Sequence, residues 1–137
     1  MSRRYLLDTN ALGDLCDRRH GVHLRVNEAV LSGAKIGTCP PVLGELFDGL
    51  EYSRTQQRNR ALMERTLQKV IVWPYHIAEA REFGRIRAEL RRNGRTMQTV
   101  DMQLAAVAKL LIDCTVVSSD SDLLAIPGLS VESWATS

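Results

Sequence analysis

Long apolar runs are missing from this chain, and their absence bears on where it resides. No stretch approaches the roughly 18 to 20 consecutive apolar residues that a membrane-spanning helix needs. Near the start, Arg3-Arg4 precede an apolar run of only Tyr5-Leu6-Leu7, which is too short for the core of a secretory signal. The sequence therefore predicts a cytoplasmic protein that does not enter a membrane.

Cysteine and aromatic residues are also scarce. The three cysteines, Cys16, Cys39 and Cys114, are odd in number and match no zinc-binding spacing, so we expect reduced thiols. Cys39 and Cys114 lie in short apolar runs and are predicted to be buried. Aromatic residues make up 5% of the chain, which disfavours binding of single-stranded nucleic acid by base stacking. His20 and His23 could form a metal pair, but surface histidines are far more common, and no site is assigned to them.

Short apolar segments alternate with amphipathic ones along the whole chain. Five segments have the composition of strands: residues 5–7, 35–39, 70–73, 114–117 and 129–134. The spacing of apolar residues predicts helices over residues 11–17, 24–31, 43–50, 55–68, 76–92 and 100–111. Asn10 and Thr99 are the expected caps of the first and last helix. With no repeat and no linker, residues 1–137 are predicted to form a single α/β domain around a mainly parallel sheet of four or five strands.

Four acidic residues stand where a carboxylate is unusual. Asp8 follows the apolar run of the first strand, and Asp120 lies just past the fourth. Glu45 is one turn into the helix after the second strand, and Asp101 opens the most apolar helix. In a parallel sheet, strand ends and the starts of the following helices share one edge, where ligands bind. The four side chains can therefore converge at that edge, although they are far apart in the sequence.

Each of the four residues also has a purely structural interpretation. Asp8 and Asp101 could favour a helix start, and Glu45 could face solvent. Asp120, like the nearby Asp122, could be a turn residue. Taken together, however, clustered carboxylates repel one another unless cations neutralise them, and Mg²⁺ and Mn²⁺ prefer oxygen ligands. An acid cluster without histidine or cysteine indicates phosphoryl chemistry at one or two such ions.

The charge of the remaining chain suits a polyanionic substrate. Of 16 acidic residues, 12 remain outside the cluster against 18 basic ones, so the rest of the protein carries a net charge of +6. Such a surface can hold a nucleic acid by its flanks while the metal-filled centre cuts it. Thr9, Asn10 and Ser118 stand beside the first and last acids, where they could fix rotamers or hold a water, or serve only the turns.

The chain resembles the PIN-domain family, and specifically the VapC-type toxins of bacterial toxin–antitoxin pairs. The resemblance runs through nearly the whole chain and rests on four segments. They are YLLDTN at residues 5–10, PVLGEL at 41–46, DMQLAAVA at 101–108, and a tail with VSSDSDL, PGL and VESW between 117 and 134. Any one segment is weak evidence, but all four in order and at the family's usual spacing are specific.

The resemblance implies an α/β/α sandwich with the activity of an Mg²⁺- or Mn²⁺-dependent endoribonuclease. It also implies a homodimer that is neutralised by a small VapB-like antitoxin, in complexes that can be larger hetero-oligomers. The family's four acidic positions fall on Asp8, Glu45, Asp101 and Asp120, and its polar positions on Asn10 and Ser118. The usual last motif, Thr-Asn-Asp, is here Ser118-Ser119-Asp120, so Asp122 could share or take the role of the fourth acid.

The resulting hypothesis assigns a role to each acid. Asp8 and Asp101 ligate the principal metal ion, while Glu45 and Asp120 complete the cluster or hold a second ion, and water attacks an RNA phosphodiester in line. Five arginines could grip the RNA backbone, or could be a solvated helix face: Arg85, Arg87, Arg91, Arg92 and Arg95. The exposed helical hairpin from Leu43 to Met63 is the predicted surface for the partner subunit or the antitoxin.

Two other functions stay open at this point. A catalytically inactive PIN-like module could act through an antitoxin complex and operator DNA, although the presence of all four acids argues against it. A phosphatase of the haloacid-dehalogenase type could use Asp8 as nucleophile. Such enzymes usually have a second aspartate two residues on, where this chain has Asn10.

Overall fold

Five short strands, all parallel, form the sheet. The computed structural model describes residues 2–136, so Met1 and Ser137 of the predicted domain lie outside the described residues. The strands are β1 (Arg4–Leu7), β2 (Lys35–Thr38), β3 (Ile71–Val72), β4 (Cys114–Val117) and β5 (Val131–Glu132). Their order in the sheet is β3-β2-β1-β4-β5, which confirms the predicted parallel sheet.

The two edge strands are shorter than the sequence predicts. Each has only two residues, against the predicted ranges 70–73 and 129–134. Pro74 follows β3 closely and has no N–H to give to a ladder. After β5 the chain bends so that the Trp134 ring packs against the Tyr5 ring, with ring centroids 4.8 Å apart. An edge strand has one neighbour only, so these competing contacts end it early.

Six helices connect the strands, as the apolar spacing predicts. They are α1 (Thr9–Asp17), α2 (Val22–Leu31), α3 (Pro40–Glu51), α4 (Gln56–Leu67), α5 (Ile77–Arg92) and α6 (Thr99–Leu110). A short 3-10 helix follows β4 at Ser121–Ala125. The helical crossovers move outward from β1 to β3 and then return across the sheet to β4, which confirms the α/β/α sandwich.

The predicted caps of the first and last helix are wrong by one or two residues. Asp8, not Asn10, caps α1, because its Oδ1 accepts a hydrogen bond of 2.8 Å from the N–H of Ala11. Asn10 is therefore the second residue of that helix. Gln98 precedes α6 and makes no side-chain capping bond, and Thr99 is the first helical residue. The strand delivers Asp8 in an extended conformation, which leaves its carboxylate over the first turn of α1.

The interior is apolar and continuous across both faces of the sheet. Leu6 and Leu7 of β1 are fully buried, and so is the central run of α6 from Leu104 to Ala108, as its composition predicts. Cys39 is a buried free thiol as predicted and Cys16 is buried as well, but the prediction of burial is wrong for Cys114, which is only partly covered at the start of β4. Among residues 2–136, no helix is both long enough and apolar enough to cross a membrane.

The strand order creates a crevice beside the central strand. From β1 the chain moves to β2 on one side, while β4 pairs with β1 on the other side. The crossovers that leave β1 and β4 therefore diverge at their carboxyl ends. In open parallel sheets this switch point is where ligands bind. The residues that directly follow β1 and β4 line it.

Close contact between Gly37 and Trp73 offers a test of the sheet packing. A Cβ at Gly37 would lie 2.5 Å from the Trp73 ring and 2.7 Å from the carbonyl oxygen of Ile71, inside atomic contact distance. We expect Gly37→Ala to lower the free energy of unfolding by roughly 1–3 kcal/mol or more, because an overpacked core must distort. Denaturant titration followed by circular dichroism measures it.

Gly84 supplies the matched control. It lies within α5, and a Cβ there would meet nothing within 4 Å. Gly84→Ala should raise stability by roughly 0.5–1 kcal/mol, since glycine is a poor helix former. Equal stabilities for the two variants would contradict the described packing of Trp73 on β2.

Candidate active site

Asp8 is a buried carboxylate at the switch point of the sheet. Only 6% of the residue is exposed, and its N–H donates to the carbonyl of Val117 at the end of β4, 3.1 Å away. Burial raises the pKa of the Asp8 carboxyl, and the hydrogen bonds from Ser118 and from the Ala11 N–H act in the opposite direction. The side chain thus combines a capping role in α1 with a charge held inside the crevice.

Asp101 is affected by the charges of all three other predicted acids. It lies in the first turn of α6, partly buried, and its pKa is raised to about 6. Burial is the largest cause, followed by the negative charges of Asp120, Asp8 and Glu45 and by a hydrogen bond with Asp120. The structure therefore brings the other three predicted acids within electrostatic reach of Asp101, although the four come from different segments of the chain.

Asp120, and not Asp122, is the acid of this loop whose charge acts on other members of the cluster. Asp120 is partly buried after β4, and its charge acts on both Asp8 and Asp101. Its Oδ1 accepts a hydrogen bond of 2.9 Å from the Asp122 N–H, which caps the 3-10 helix. Asp122 is exposed, and it meets Asp120 through this backbone N–H.

Glu45 is the most solvent-exposed member of the cluster. It is exposed on α3, five residues after the helix begins at Pro40, and its charge contributes to the raised pKa of Asp101. Two prolines start this helix directly after β2, as the Pro40-Pro41 pair predicts. The position leaves a flexible carboxylate at the rim, where it can turn toward the other three acids.

Ser118 links two members of the cluster. The residue is 4% exposed, its hydroxyl bonds Asp8, and its Oγ accepts a hydrogen bond of 3.0 Å from the Asp120 N–H. Thr9 is partly buried at the start of α1 and Asn10 is exposed beside it. Both of these α1 residues line a cleft that also contains Glu45.

The predicted RNA-binding arginines lie on the surface, away from direct contact with the acids. All five are exposed, on the second half of α5 and in the loop that leads to α6. Arg85 is engaged by Glu82, with 2.8 Å between Nη1 and Oε2. The charges that shift the pKa of Asp101 are those of Asp120, Asp8 and Glu45, and none of the five arginines is among them.

Asp14 is a neighbour of the site that sequence reasoning missed. Its charge also raises the pKa of Asp8, and its Oδ1 lies 3.1 Å from Nδ1 of His20. The spacing of four residues between Asn10 and Asp14 places both on one face of α1, which is the signal that could have found it. No strand end marks the position, so the pattern that identified the other acids does not apply.

The donor set fits a hard divalent cation, although the present side-chain positions are not those of a finished chelate. Within residues 2–136, no three His, Cys, Asp or Glu side chains are grouped closely enough to hold a metal ion. The charges of Asp120, Asp8 and Glu45 all act on Asp101 and raise its pKa, so negative charge is concentrated at this site. A divalent ion would neutralise that repulsion with oxygen ligands alone.

Comparison with known proteins identifies the family of this chain. A model of the PIN domain family matches residues 5–129. The tRNA(fMet)-specific endonuclease VapC of Shigella flexneri is 30% identical over 133 residues, covering 96% of this chain and 98% of that protein. Ribonuclease VapC of Haemophilus influenzae is 31% identical over 107 residues, covering 77% of this chain and 79% of that protein.

Solved structures show the same fold. DNA-bound VapBC from Salmonella typhimurium superposes with a TM-score of 0.84 at 28% identity, covering 98% of this chain and all, 100%, of that one. VapBC2 from Rickettsia felis, bound to a promoter DNA fragment, gives a TM-score of 0.85 at 22% identity, with 96% and 98% covered, a likeness of fold alone. Since the family model spans most of the chain and the relatives cover it nearly end to end, the chain belongs to the PIN domain family, among its VapC-type members.

Proposed function

We propose that this chain is a divalent-metal-dependent endoribonuclease and the toxin of a toxin–antitoxin pair. The observation that carries the proposal is the convergence of four carboxylates at the switch point of the sheet. Partly buried acids that repel one another are costly for a fold, and a phosphodiesterase centre is a use for them. The names of the Shigella flexneri and Haemophilus influenzae relatives, an endonuclease and a ribonuclease, support the same activity.

In this proposal the acids share the work of holding the ion and the substrate. Asp8 and Asp101 supply the principal oxygen ligands, and Glu45 and Asp120 complete the set or hold a second ion. A bound Mg²⁺ or Mn²⁺ supplies positive charge that acidifies a water molecule and offsets the charge of the attacked phosphate. Ser118 keeps two of these acids in fixed relation because it bonds both Asp8 and the backbone of Asp120.

The remaining roles fall on neighbouring side chains. Thr9 and Asn10 orient water and substrate beside the first acid. Four of the exposed arginines, namely Arg87, Arg91, Arg92 and Arg95, bind the RNA backbone, while Arg85 contributes less because Glu82 already engages it. An RNA held at these positions lies along α5 and meets the acids at the start of α6.

Neutralisation by a VapB-like antitoxin is part of the same proposal. The similar structures from Salmonella typhimurium and Rickettsia felis are VapBC assemblies bound to DNA. In that arrangement the chain acts as a nuclease when free and as a component of a DNA-bound complex when paired. The α3–α4 hairpin, residues 43–63, is the proposed surface for a second copy of this chain or for the antitoxin, through its exposed Phe47 and Tyr52, which do not line the cleft beside Glu45.

Removal of single charges tests the metal centre. We expect Asp8→Asn and Asp101→Asn each to slow RNA cleavage at least roughly 100-fold, because ion binding is worth several kcal/mol in the transition state. Asparagine caps helices as well as aspartate, so Asp8→Asn should keep α1 intact. Cleavage of labelled RNA with and without MgCl₂ measures the effect, and the rise in Tm on adding MgCl₂ should vanish in both variants.

Asp113 provides a control for the same chemical change. It lies in the turn before β4 with a left-handed backbone, φ 55°, which asparagine tolerates. Asp113→Asn should leave cleavage and the Mg²⁺-dependent Tm shift unchanged. Full activity in purified Asp8→Asn or Asp101→Asn protein would refute the metal centre.

The identity of the fourth acid can be tested by a pair of variants. Asp120→Asn should slow cleavage about tenfold or more, while its amide oxygen can still accept from the Asp122 N–H and preserve the loop. Asp122→Asn should stay within about twofold of the unchanged protein, a range typical of exposed residues outside a site. Kinetics at saturating Mg²⁺ measure both, and the reverse order of effects would assign the role to Asp122.

The dimer is tested at the α3–α4 hairpin. Tyr52 is 83% exposed and Phe47 is 42% exposed there, although large apolar side chains are normally buried. We expect light scattering to give a dimer at micromolar concentration and a monomer for Tyr52→Asp. The control is Leu31→Asp, an equally exposed apolar residue at the end of α2. A monomer for the unchanged protein would contradict the proposed surface.

A further inference from the structure

A polar cleft opens beside the acid cluster, between α1, α3 and α4. Its volume is about 280 Å³. Thr9 and Asn10 from the start of α1 and Glu45 from α3 line it, so it is continuous with the proposed active site. We refer to it as the α1–α3–α4 cleft. Anything bound in it lies next to the point where a phosphodiester would be cut.

The cleft has an apolar floor and a rim of hydrogen-bonding groups. Cys16, Leu50 and Met63 form the floor and pack together as a small core of their own. On the rim, the Asn59 amide donates to Ser53 Oγ at 2.6 Å, which fixes the amide at the mouth. A concave site with apolar side chains at its base and a few oriented polar groups at its edge is the usual form of a small-ligand site.

Charge and size restrict what this cleft can accept. Its charged lining consists of three acids, Asp14, Asp17 and Glu45, and one base, Arg19, whose Nη2 already lies 2.7 Å from Asp17. A net negative lining repels phosphate and accepts hydrogen bonds from N–H groups. The volume is just below the roughly 300–1,000 Å³ of pockets for drug-sized ligands, so the cleft suits one nucleobase and is too small for a base pair.

We propose that the α1–α3–α4 cleft binds one unpaired nucleobase next to the scissile phosphodiester, and that Asn59 and the cleft carboxylates select a base with an exocyclic amino group. Guanine, adenine and cytosine carry such a donor and uracil does not. The base would lie on the Leu50–Met63 floor with its amino edge toward the acidic rim. This inference rests on the proposed nuclease function and adds to it a determinant of the cleavage position.

The test separates binding from cleavage. Guanosine and uridine are titrated into the unchanged protein in EDTA, and the NMR shifts of Gly49 and of the Asn59 side-chain amide are followed. Guanosine should bind about tenfold or more tightly than uridine, the discrimination expected for a paired base edge.

Asn59→Leu should reduce that ratio below about threefold, and Gly49→Phe, which places a ring in open space at the cleft, should abolish binding. The matched control is Ala78→Phe on the exposed start of α5, which should bind as the unchanged protein does.

Sequencing of RNA ends after digestion of a random single-stranded library supplies the second readout. One position beside the cut should be depleted of uracil, and Asn59→Leu should remove that depletion while cleavage continues. Equal binding of both nucleosides, or shifts remote from Asn59, overturns the cleft assignment. Weakened antitoxin binding by Gly49→Phe with an unchanged cleavage profile also overturns it, because the cleft would then be a peptide site. If the unchanged protein does not cleave RNA, the nuclease proposal is refuted. The nucleoside titration would still show whether the cleft binds a nucleobase.

Discussion

The parallel pairing of β1 on both sides is the constraint from which the rest of the structure follows. Three of its residues pair with β2 on one side and all four pair with β4 on the other, so the chain must leave the central strand in one direction and return from the other. Helices on both faces and a crevice at the carboxyl ends are consequences of this order. Asp8 directly follows β1 and Ser118 directly follows β4, so both are forced into the crevice.

Placing four acids at one sheet edge opposes stability, and the surroundings reduce that cost only in part. Hydrogen bonds from the Ala11 N–H and from Ser118 stabilise the Asp8 carboxylate, but they only partly offset burial, so its pKa is still raised. Burial and then the negative charges of Asp120, Asp8 and Glu45 raise the pKa of Asp101 to about 6. Such unresolved repulsion is unusual for a purely structural role and typical of a site that acquires a cation.

Much of the fold and the position of the cluster could be predicted from the sequence, because both depend on local order. Apolar runs mark the buried strands, helical spacing marks the helices, and an acid just after a strand lies at a predictable edge. The caps were missed because Asp8 and Asn10 are both good cap residues, and only the exit angle of β1 decides between them. Asp14 and the cleft beneath Asn59 depend on how α1, α3 and α4 pack, which no local pattern contains.

The double role of Asp8 ties stability to function at a single side chain. As a cap its carboxylate accepts from the N–H of Ala11 through Oδ1 alone, so the cap does not need the second oxygen. An uncharged cap of the same shape would serve α1 equally well, so the helix alone does not explain a charge that burial disfavours. The charge of Asp8 is therefore better explained by a cation that binds it than by the helix that it caps. The same reasoning extends to Ser118, a buried polar residue that lies between two acids.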